Sequence, residues 1–157
     1  IGVGLVGSEM CIRDRDATIA LNLSSVFFCS QAVSHGMIEK KGGKIINISS
    51  VAGIRMSPAF IQYGAAKAGV INLTKSLASC WGPYNINVNC IAPGLTATEG
   101  VAHWLPSKTD EDGNAVPSLQ LPPEPEHVAQ LAVFLASEAS SNISGELFPI
   151  RSLTELA

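Results

Sequence analysis

The sequence predicts an α/β chain in which about three short strands form a parallel sheet with helices packed against it. Two apolar, mostly β-branched runs, KIINI at 44–48 and INVNCI at 86–91, are typical of strands covered on both faces. A segment with apolar residues at helical spacing precedes each of these runs. A further helix, at 126–136, leads into a third short strand at 146–150. This alternation of helix and strand is what indicates a parallel sheet.

The two longer helices follow from the spacing of their apolar residues. The first is expected at about 16–37 and ends near the Lys-Lys-Gly-Gly segment 40–43, where cations and glycines favour a helix terminus. The second is expected at 63–80, with Ala66, Val70 and Leu73 on one face, and the Gly82-Pro83 pair ends it. Small residues near the start of this helix permit a close approach to a neighbouring element.

Composition excludes several classes of protein. With 157 residues, 46% hydrophobic and 15% charged, the chain is expected to form one globular domain at most. The net charge of −3 comes without a basic patch, which argues against nucleic acid as a partner. No uninterrupted apolar run approaches the length of a membrane span, so no membrane association is expected. The four cysteines lack a CxxC pair, which favours reduced thiols in the cytoplasm and no metal site.

The first fifteen residues differ in character from the rest. Gly2, Gly4 and Gly7 spell G-x-G-x-x-G, but a nucleotide-binding turn of this kind needs a preceding strand, and one residue precedes Gly2. The segment GLVGSEMCIRDR instead looks like a translated sequencing adapter, so 1–15 is interpreted as a non-native leader. Residues 16–150 then form the domain, 99–126 is its variable, proline-rich part, and 151–157 is an irregular tail.

Three residues form a candidate catalytic site. Tyr63 and Lys67 stand four apart at the start of a helix and therefore share one face. A neighbouring ammonium favours the phenolate, which allows a tyrosine to exchange protons near neutral pH. Ser50 follows the first strand, and the carboxyl ends of parallel strands border the ligand crevice of such sheets. A proton donor, a cation and a hydroxyl are thus expected at one cleft.

These residues resemble the short-chain dehydrogenase/reductase family, whose pattern is a serine, about thirteen residues, and then Tyr-x-x-x-Lys. Ser50, Tyr63 and Lys67 have that spacing. Four further segments occur in the family's order: LNLSSVFFCSQAV, NISSVAG, YGAAKAGVINLTKSLA and INVNCIAPGLTAT. The resemblance covers about 16–145, is to members similar to 3-oxoacyl-carrier-protein reductases, and implies the C-terminal half of a Rossmann-like doubly wound parallel sheet. The N-terminal nucleotide-binding half has no counterpart here.

The resemblance implies a role for each catalytic candidate in hydride transfer between a nicotinamide and a carbonyl or alcohol carbon. Tyr63 is implied to be the general acid/base and Ser50 to polarise the carbonyl. Lys67 is implied to lower the pKa of the tyrosine and to hold the ribose. Asn22, in a matching Asn-Leu pair, is implied to hold a water that links the lysine to solvent; as a plain sequence feature it is equally a polar residue bonding locally.

The resemblance also implies the cofactor and partners. The cofactor is NAD or NADP, with the preference undetermined, bound by Tyr63, by Lys67 and by the turn after the second strand, which contributes Pro93, Gly94, Thr96 and Thr98. The family's usual homodimers or homotetramers are implied for the parent enzyme, with 99–126 as the substrate lid. Each turn residue alternatively belongs to an ordinary strand-end turn.

Three hypotheses about function follow. The first is an oxidoreductase by lineage whose truncated chain is inactive alone, because pyrophosphate binding relies on a helix N-terminus that this chain lacks. The second is a non-catalytic fragment or oligomerisation module. The third is a nucleotide-sugar epimerase or dehydratase, relatives that share Tyr-x-x-x-Lys but usually carry a larger C-terminal substrate domain.

Overall fold

The computed structural model of the protein describes residues 9–153. Its helices and strands are, in chain order, α1 (Glu9–Ile19), a π-helical segment (Ala20–Ser24), α2 (Ser25–Lys40), β1 (Gly43–Ile48), α3 (Ile61–Trp81), β2 (Ile86–Pro93), α4 (Pro125–Ala136) and β3 (Leu147–Ile150). The glycines of the G-x-G-x-x-G pattern, Gly2, Gly4 and Gly7, lie outside the described residues.

The three strands form one parallel sheet in the order β1-β2-β3. In its register Gly43 pairs with Ile86 at one end of β1 and Ile48 with Ile91 at the other, while Pro93 pairs with Ile150. Because all strands run the same way, their carboxyl ends share one edge of the sheet. The predicted α/β class, with about three parallel strands and flanking helices, is therefore confirmed.

The core lies between β2 and the helices. Ile86, Val88 and Ala78 of α3 form a buried cluster, and the side chains packed against it come from both long helices and from β1: Met37, Ile38, Ile45, Leu77 and Trp81. Ile91 and Leu135 are also fully buried. The central strand β2 thus carries more buried side chains than either neighbouring strand, as expected for a covered sheet.

Two asparagines on β2 hold the segment that leads into β3. The Asn87 amide nitrogen donates to the carbonyls of Ser141 and Ile143. The Asn89 amide nitrogen also donates to the Ile143 carbonyl, at 2.8 Å, while its oxygen accepts from the Glu146 amide at 3.1 Å. Asn89 is fully buried, so these bonds satisfy a side chain that water cannot reach.

The first helical region departs from the prediction in its start and its regularity. Helix begins at Glu9 rather than near Asp16, and a π-helical segment interrupts the α-helical pattern at Ala20–Ser24. The helix ends at Lys40, and Lys41 adopts a left-handed conformation that lets Gly42 donate to the Met37 carbonyl. A left-handed residue after the last turn is a common helix terminus.

The strand β1, whose composition is typical of a strand covered on both faces, is only partly buried. β1 is an edge strand in the described structure, and 44% of Ile48 is exposed. The apolar run had the composition of a buried strand, but composition does not specify which elements cover it.

One helical region bears on the expectation about membrane spans. Residues 14–40 form a helical region of 27 residues that contains an 18-residue window with mean hydropathy 1.3, and 11% of that window is buried. By length and composition alone, this region could cross a membrane. This region contains scattered polar residues, so no uninterrupted apolar run marks it in the sequence. Its aromatic side chains Phe27 and Phe28 are exposed.

Candidate active site

The carboxyl edge of the sheet gathers most of the predicted site residues. Ser49 and Ser50 follow β1, and Gly94 and Thr96 follow β2. The Ser49 amide donates to the Ile91 carbonyl and the Gly94 amide to the Ile150 carbonyl, each at 2.8 Å. These two bonds extend the ladder past the strand ends, so the segments that follow start from fixed positions.

Lys67 and Tyr63 meet on the face of α3 that borders this edge. The Lys67 Nζ lies 5.6 Å from the centroid of the Tyr63 ring, as in a cation–π contact. The same Nζ donates to the Ile48 carbonyl at 3.1 Å. The predicted i, i+4 pairing is therefore present, and the ammonium is held at the end of β1.

Ser50 begins a short 3₁₀ turn, Val51–Gly53, that links β1 to the loop before α3. Its backbone is extended and its Oγ accepts from the Ala52 amide at 3.2 Å, which is the bond of an N-terminal cap. The turn packs on α3, where a Cβ at Gly53 would lie within 3 Å of the Lys67 backbone. Ser50 is half-buried beside the helix that carries Tyr63 and Lys67.

Burial changes the proton affinities of two groups at this edge. Burial lowers the pKa of the Lys67 ammonium, and the negative charge of an ionised Cys90 opposes that shift. Burial raises the pKa of the Cys90 thiol, while hydrogen bonds from Thr74 and from the Ser49 backbone, and the Lys67 charge, act in the opposite direction. A lysine with a lowered pKa releases its proton more readily beside the phenol, as proton exchange requires.

Asn22 lies in the π-helical segment, close to α3 but engaged locally. Its amide nitrogen donates to the Thr18 carbonyl at 3.1 Å. The neighbouring Leu23 packs against Gly69 of α3, where a Cβ would come within 2.9 Å of Leu23 Cδ2. The structure thus brings the Asn22 segment against the helix of Tyr63 and Lys67, and the side chain makes the local bond that was the plain alternative. π-Helical segments often occur at functional sites because they change the backbone bonding pattern.

The turn after β2 places its four predicted residues along the same edge. Pro93 ends the strand, and the Thr96 hydroxyl donates to the Gly94 carbonyl at 3.2 Å. The Thr98 amide donates to the Thr96 carbonyl at 2.8 Å, and the exposed Thr98 precedes a 3₁₀ turn, Glu99–Trp104. The Ala97 amide donates to the Pro123 carbonyl, which ties this turn to the far end of the 99–126 segment.

Two contributors to the site were not predicted. Ser49 directly precedes the predicted Ser50, and its Oγ donates to the Lys67 carbonyl at 2.7 Å. The Ile48 carbonyl, a backbone group, accepts from the Lys67 ammonium. The paired serines after a strand were the available signal for Ser49, whereas nothing in a side-chain pattern identifies a backbone acceptor.

Comparison with known proteins identifies the family of the chain. The family model described as enoyl-(acyl carrier protein) reductase matches residues 8–150. The chain belongs to the short-chain dehydrogenase/reductase family and is an oxidoreductase by lineage.

Its relatives include enzymes with closely similar sequences. It is 42% identical over 148 residues to a 3-oxoacyl-[acyl-carrier-protein] reductase of Synechocystis, an alignment that covers 90% of this chain and 56% of the relative. The chain thus spans just over half the length of this curated relative.

Solved structures with bound dinucleotides share the fold. A 3-oxoacyl-[acyl-carrier protein] reductase of Brucella melitensis with bound NAD matches with a TM-score of 0.73 and 33% identity, over 96% of this chain and 56% of that one. A gluconate 5-dehydrogenase of Burkholderia cenocepacia in complex with NADP and tartrate matches with a TM-score of 0.75 and 30% identity, over 92% and 57%. Relatives with NAD and with NADP therefore both occur.

Proposed function

We propose that this chain carries the catalytic half of an NAD(P)-dependent enzyme that interconverts a ketone and a secondary alcohol. The observation that carries the proposal is the contact of the Lys67 ammonium with the Tyr63 ring, 5.6 Å apart, on the helix that packs against the Ser50 turn. The NAD- and NADP-bound relatives support the cofactor class. The free thiols of Cys29, Cys80 and Cys90 among the described residues support a reducing compartment, the cytoplasm.

The side chains supply the proton chemistry of such a reaction. In the direction of reduction, the Tyr63 hydroxyl donates a proton to the carbonyl oxygen as that oxygen gains charge. The Ser50 hydroxyl donates a hydrogen bond to the same oxygen, and the Lys67 ammonium stabilises the phenolate that remains. Asn22 contributes by holding water near α3 for reprotonation. A bound nicotinamide dinucleotide provides or accepts the hydride.

The donor set at the sheet edge fits the nicotinamide-ribose half of that dinucleotide. An ammonium, a phenol and threonine hydroxyls can form hydrogen bonds with ribose hydroxyls and a carboxamide. The residues that would hold the nicotinamide-ribose half are therefore Lys67, Tyr63, Thr96 and Thr98. The Gly94 amide is already bonded to the Ile150 carbonyl, so Pro93 and Gly94 would shape the turn rather than donate directly. No glycine-rich turn between a strand and a helix suited to pyrophosphate occurs among residues 9–153.

We therefore propose that the 157-residue chain alone transfers hydride slowly or not at all. The segment 99–126 is proposed to be the substrate lid. The relatives named above have different substrates in their names, so the proposed substrate is no more specific than a ketone or a secondary alcohol. A 3-oxoacyl thioester is the first substrate to test, because it corresponds to the name of the Synechocystis relative.

A chimera tests the proposal. Residues 16–150 replace the aligned segment of the Synechocystis reductase, and NADPH oxidation is followed with acetoacetyl-coenzyme A. We expect turnover, and Tyr63→Phe should reduce it about 10²–10⁴-fold because the proton donor is lost. Tyr84→Phe is the matched control, since Tyr84 is an exposed tyrosine outside the site. A folded chimera that binds NADPH but is equally active in both variants would refute the proposal.

The exposed apolar surface of α2 favours a second candidate, an association module. Phe27, Phe28 and Val33 are exposed on this helix, and Ile48 is exposed at the end of the adjacent edge strand. Unpaired apolar strand edges promote pairing with another chain. Concentration-dependent association in sedimentation experiments, together with no detectable binding of NADH or NADPH to any folded chimera, would favour this candidate.

A further inference from the structure

Ser49 lies at the corner where β1, β2 and α3 meet. Its amide continues the ladder to β2 by donating to the Ile91 carbonyl at 2.8 Å, and its hydroxyl donates to the Lys67 carbonyl at 2.7 Å. The residue is 3% exposed, so water does not compete for that bond. The preceding residue, Ile48, accepts from the Lys67 ammonium. Two consecutive residues therefore hold the backbone and the head group of the same lysine.

A second contact acts on the same peptide. The Val51–Gly53 turn approaches α3 so closely that a Cβ on Gly53 would lie 2.6 Å from the Lys67 carbonyl carbon and 2.7 Å from the Ala68 nitrogen. This contact limits how far the Lys67 peptide can move toward the turn. The Ser49 hydroxyl limits how far it can move away from the end of β1.

We propose that Ser49 is a positioning residue that fixes Lys67, and through α3 also Tyr63, relative to Ser50; the inference rests on the proposed function of these three residues. Ser50 is covalently joined to Ser49, so one hydrogen bond connects the serine hydroxyl of the site to the helix that carries the other two groups. Tyr63 lies about one helical turn from Lys67, and fixing one peptide of a rigid helix fixes the rotation of that turn.

The Ser49 hydroxyl bond positions the Lys67 peptide locally, and the fold as a whole does not depend on it. The Lys67 carbonyl lies inside α3, where it also has the intrahelical partner of a regular helix. Loss of the Ser49 hydroxyl therefore leaves this acceptor satisfied and removes one constraint on the position of the peptide. Proton transfer tolerates displacements of about 0.5 Å or less, so a loosened peptide affects the chemistry first.

Titration of Lys67 in the 157-residue chain tests the proposal without requiring activity. The chain is labelled with ¹³Cε lysine, the Lys67 resonance is identified by its loss in Lys67→Arg, and its shift is followed with pH. In Ser49→Ala we expect the pKa of Lys67 to move upward from its lowered position, because a released ammonium reaches water more easily. Ser49→Thr keeps the hydroxyl and should titrate as the unmodified chain does.

Ser152→Ala is the matched control. Ser152 is also buried, and its hydroxyl donates to the Gln120 carbonyl at the same 2.7 Å, so the variant loses a comparable long-range bond away from Lys67. The proposal is overturned if Ser49→Ala leaves the Lys67 titration unchanged, or if Ser152→Ala shifts it equally.

A measurement on the unmodified chain decides the question if Ser49→Ala does not fold. A Ser49 hydroxyl proton that exchanges slowly and shows a nuclear Overhauser contact to the Lys67 or Ala68 backbone supports the bond, and its absence overturns it. Failure of the chimera to transfer hydride would refute the proposed function but would leave these titrations as they are. An unchanged titration in Ser49→Ala would overturn the positioning role even with hydride transfer confirmed.

Discussion

Replacement of Gly53 by alanine should destabilise the chain because there is no room for one methyl group. The added Cβ would lie 2.6 Å from the Lys67 carbonyl carbon, whereas ordinary contact begins at 3.4 Å, so the turn and α3 must separate by about 0.8 Å. The three closest atoms, the Lys67 carbonyl carbon and oxygen and the Ala68 nitrogen, all belong to the backbone, so no side chain can rotate away. Overpacking of this kind costs about 1–3 kcal/mol in the free energy of unfolding. Urea denaturation followed by circular dichroism measures that cost.

Gly36→Ala provides the opposite expectation on the same chain. Gly36 lies within α2, and an added Cβ would have no atom within 4 Å. Alanine is favoured over glycine in a helix by about 0.5–1 kcal/mol, so this variant should be more stable than the unmodified chain. Equal stability of Gly53→Ala and the unmodified chain, with Gly36→Ala behaving as expected, would refute the argument from close packing.

Two further predictions concern the buried groups beside the site. Thr74→Val should lower the free energy of unfolding, measured by urea denaturation, by about 1–3 kcal/mol. The reason is that the buried Asn47 amide, which donates to Thr74 at 2.9 Å, would lose its partner. Adding Asn47→Leu should recover part of the loss, and an unchanged stability of Thr74→Val alone would contradict this. Lys67→Met should change the pH dependence of stability. Since the folded-state pKa of Lys67 is below 10.5, the unfolded chain binds more protons between the two values, so the unmodified chain should gain stability relative to Lys67→Met as pH rises toward 10.5. Urea midpoints that change in parallel for both chains across pH 7–10.5 would show that burial does not act on this lysine.

The sequence allowed the pairing of Tyr63 and Lys67 to be predicted because helical spacing is a local property. Four residues separate them, and an α-helix over that interval leaves little freedom in their relative position. The strands were predicted within one or two residues for the same reason, since their apolar runs end at turn residues. The shared carboxyl edge followed from the parallel arrangement.

Other features depend on contacts between distant segments and were not predicted. The role of Ser49 depends on where α3 packs, because its acceptor is a backbone carbonyl eighteen positions away. No residue type specifies the π-helical segment, whose Leu23 contacts Gly69 of α3. The exposure of Ile48 depends on which elements flank β1. Each involves a partner that a local pattern does not identify.

The bonds from Asn89 to the segment before β3 have a consequence for the order in which the chain folds. They join residues more than fifty positions apart, and closing a loop of that length carries a length-dependent entropic cost of about 3.5 kcal/mol. β3 contributes four residues of pairing in return. β1 and β2 pair over six residues, whereas β2 and β3 pair over four. We therefore expect α4 with β3 to dock after the unit of β1, α3 and β2 and to open before it. The Asn87 and Asn89 amides then hold the segment before β3 to β2.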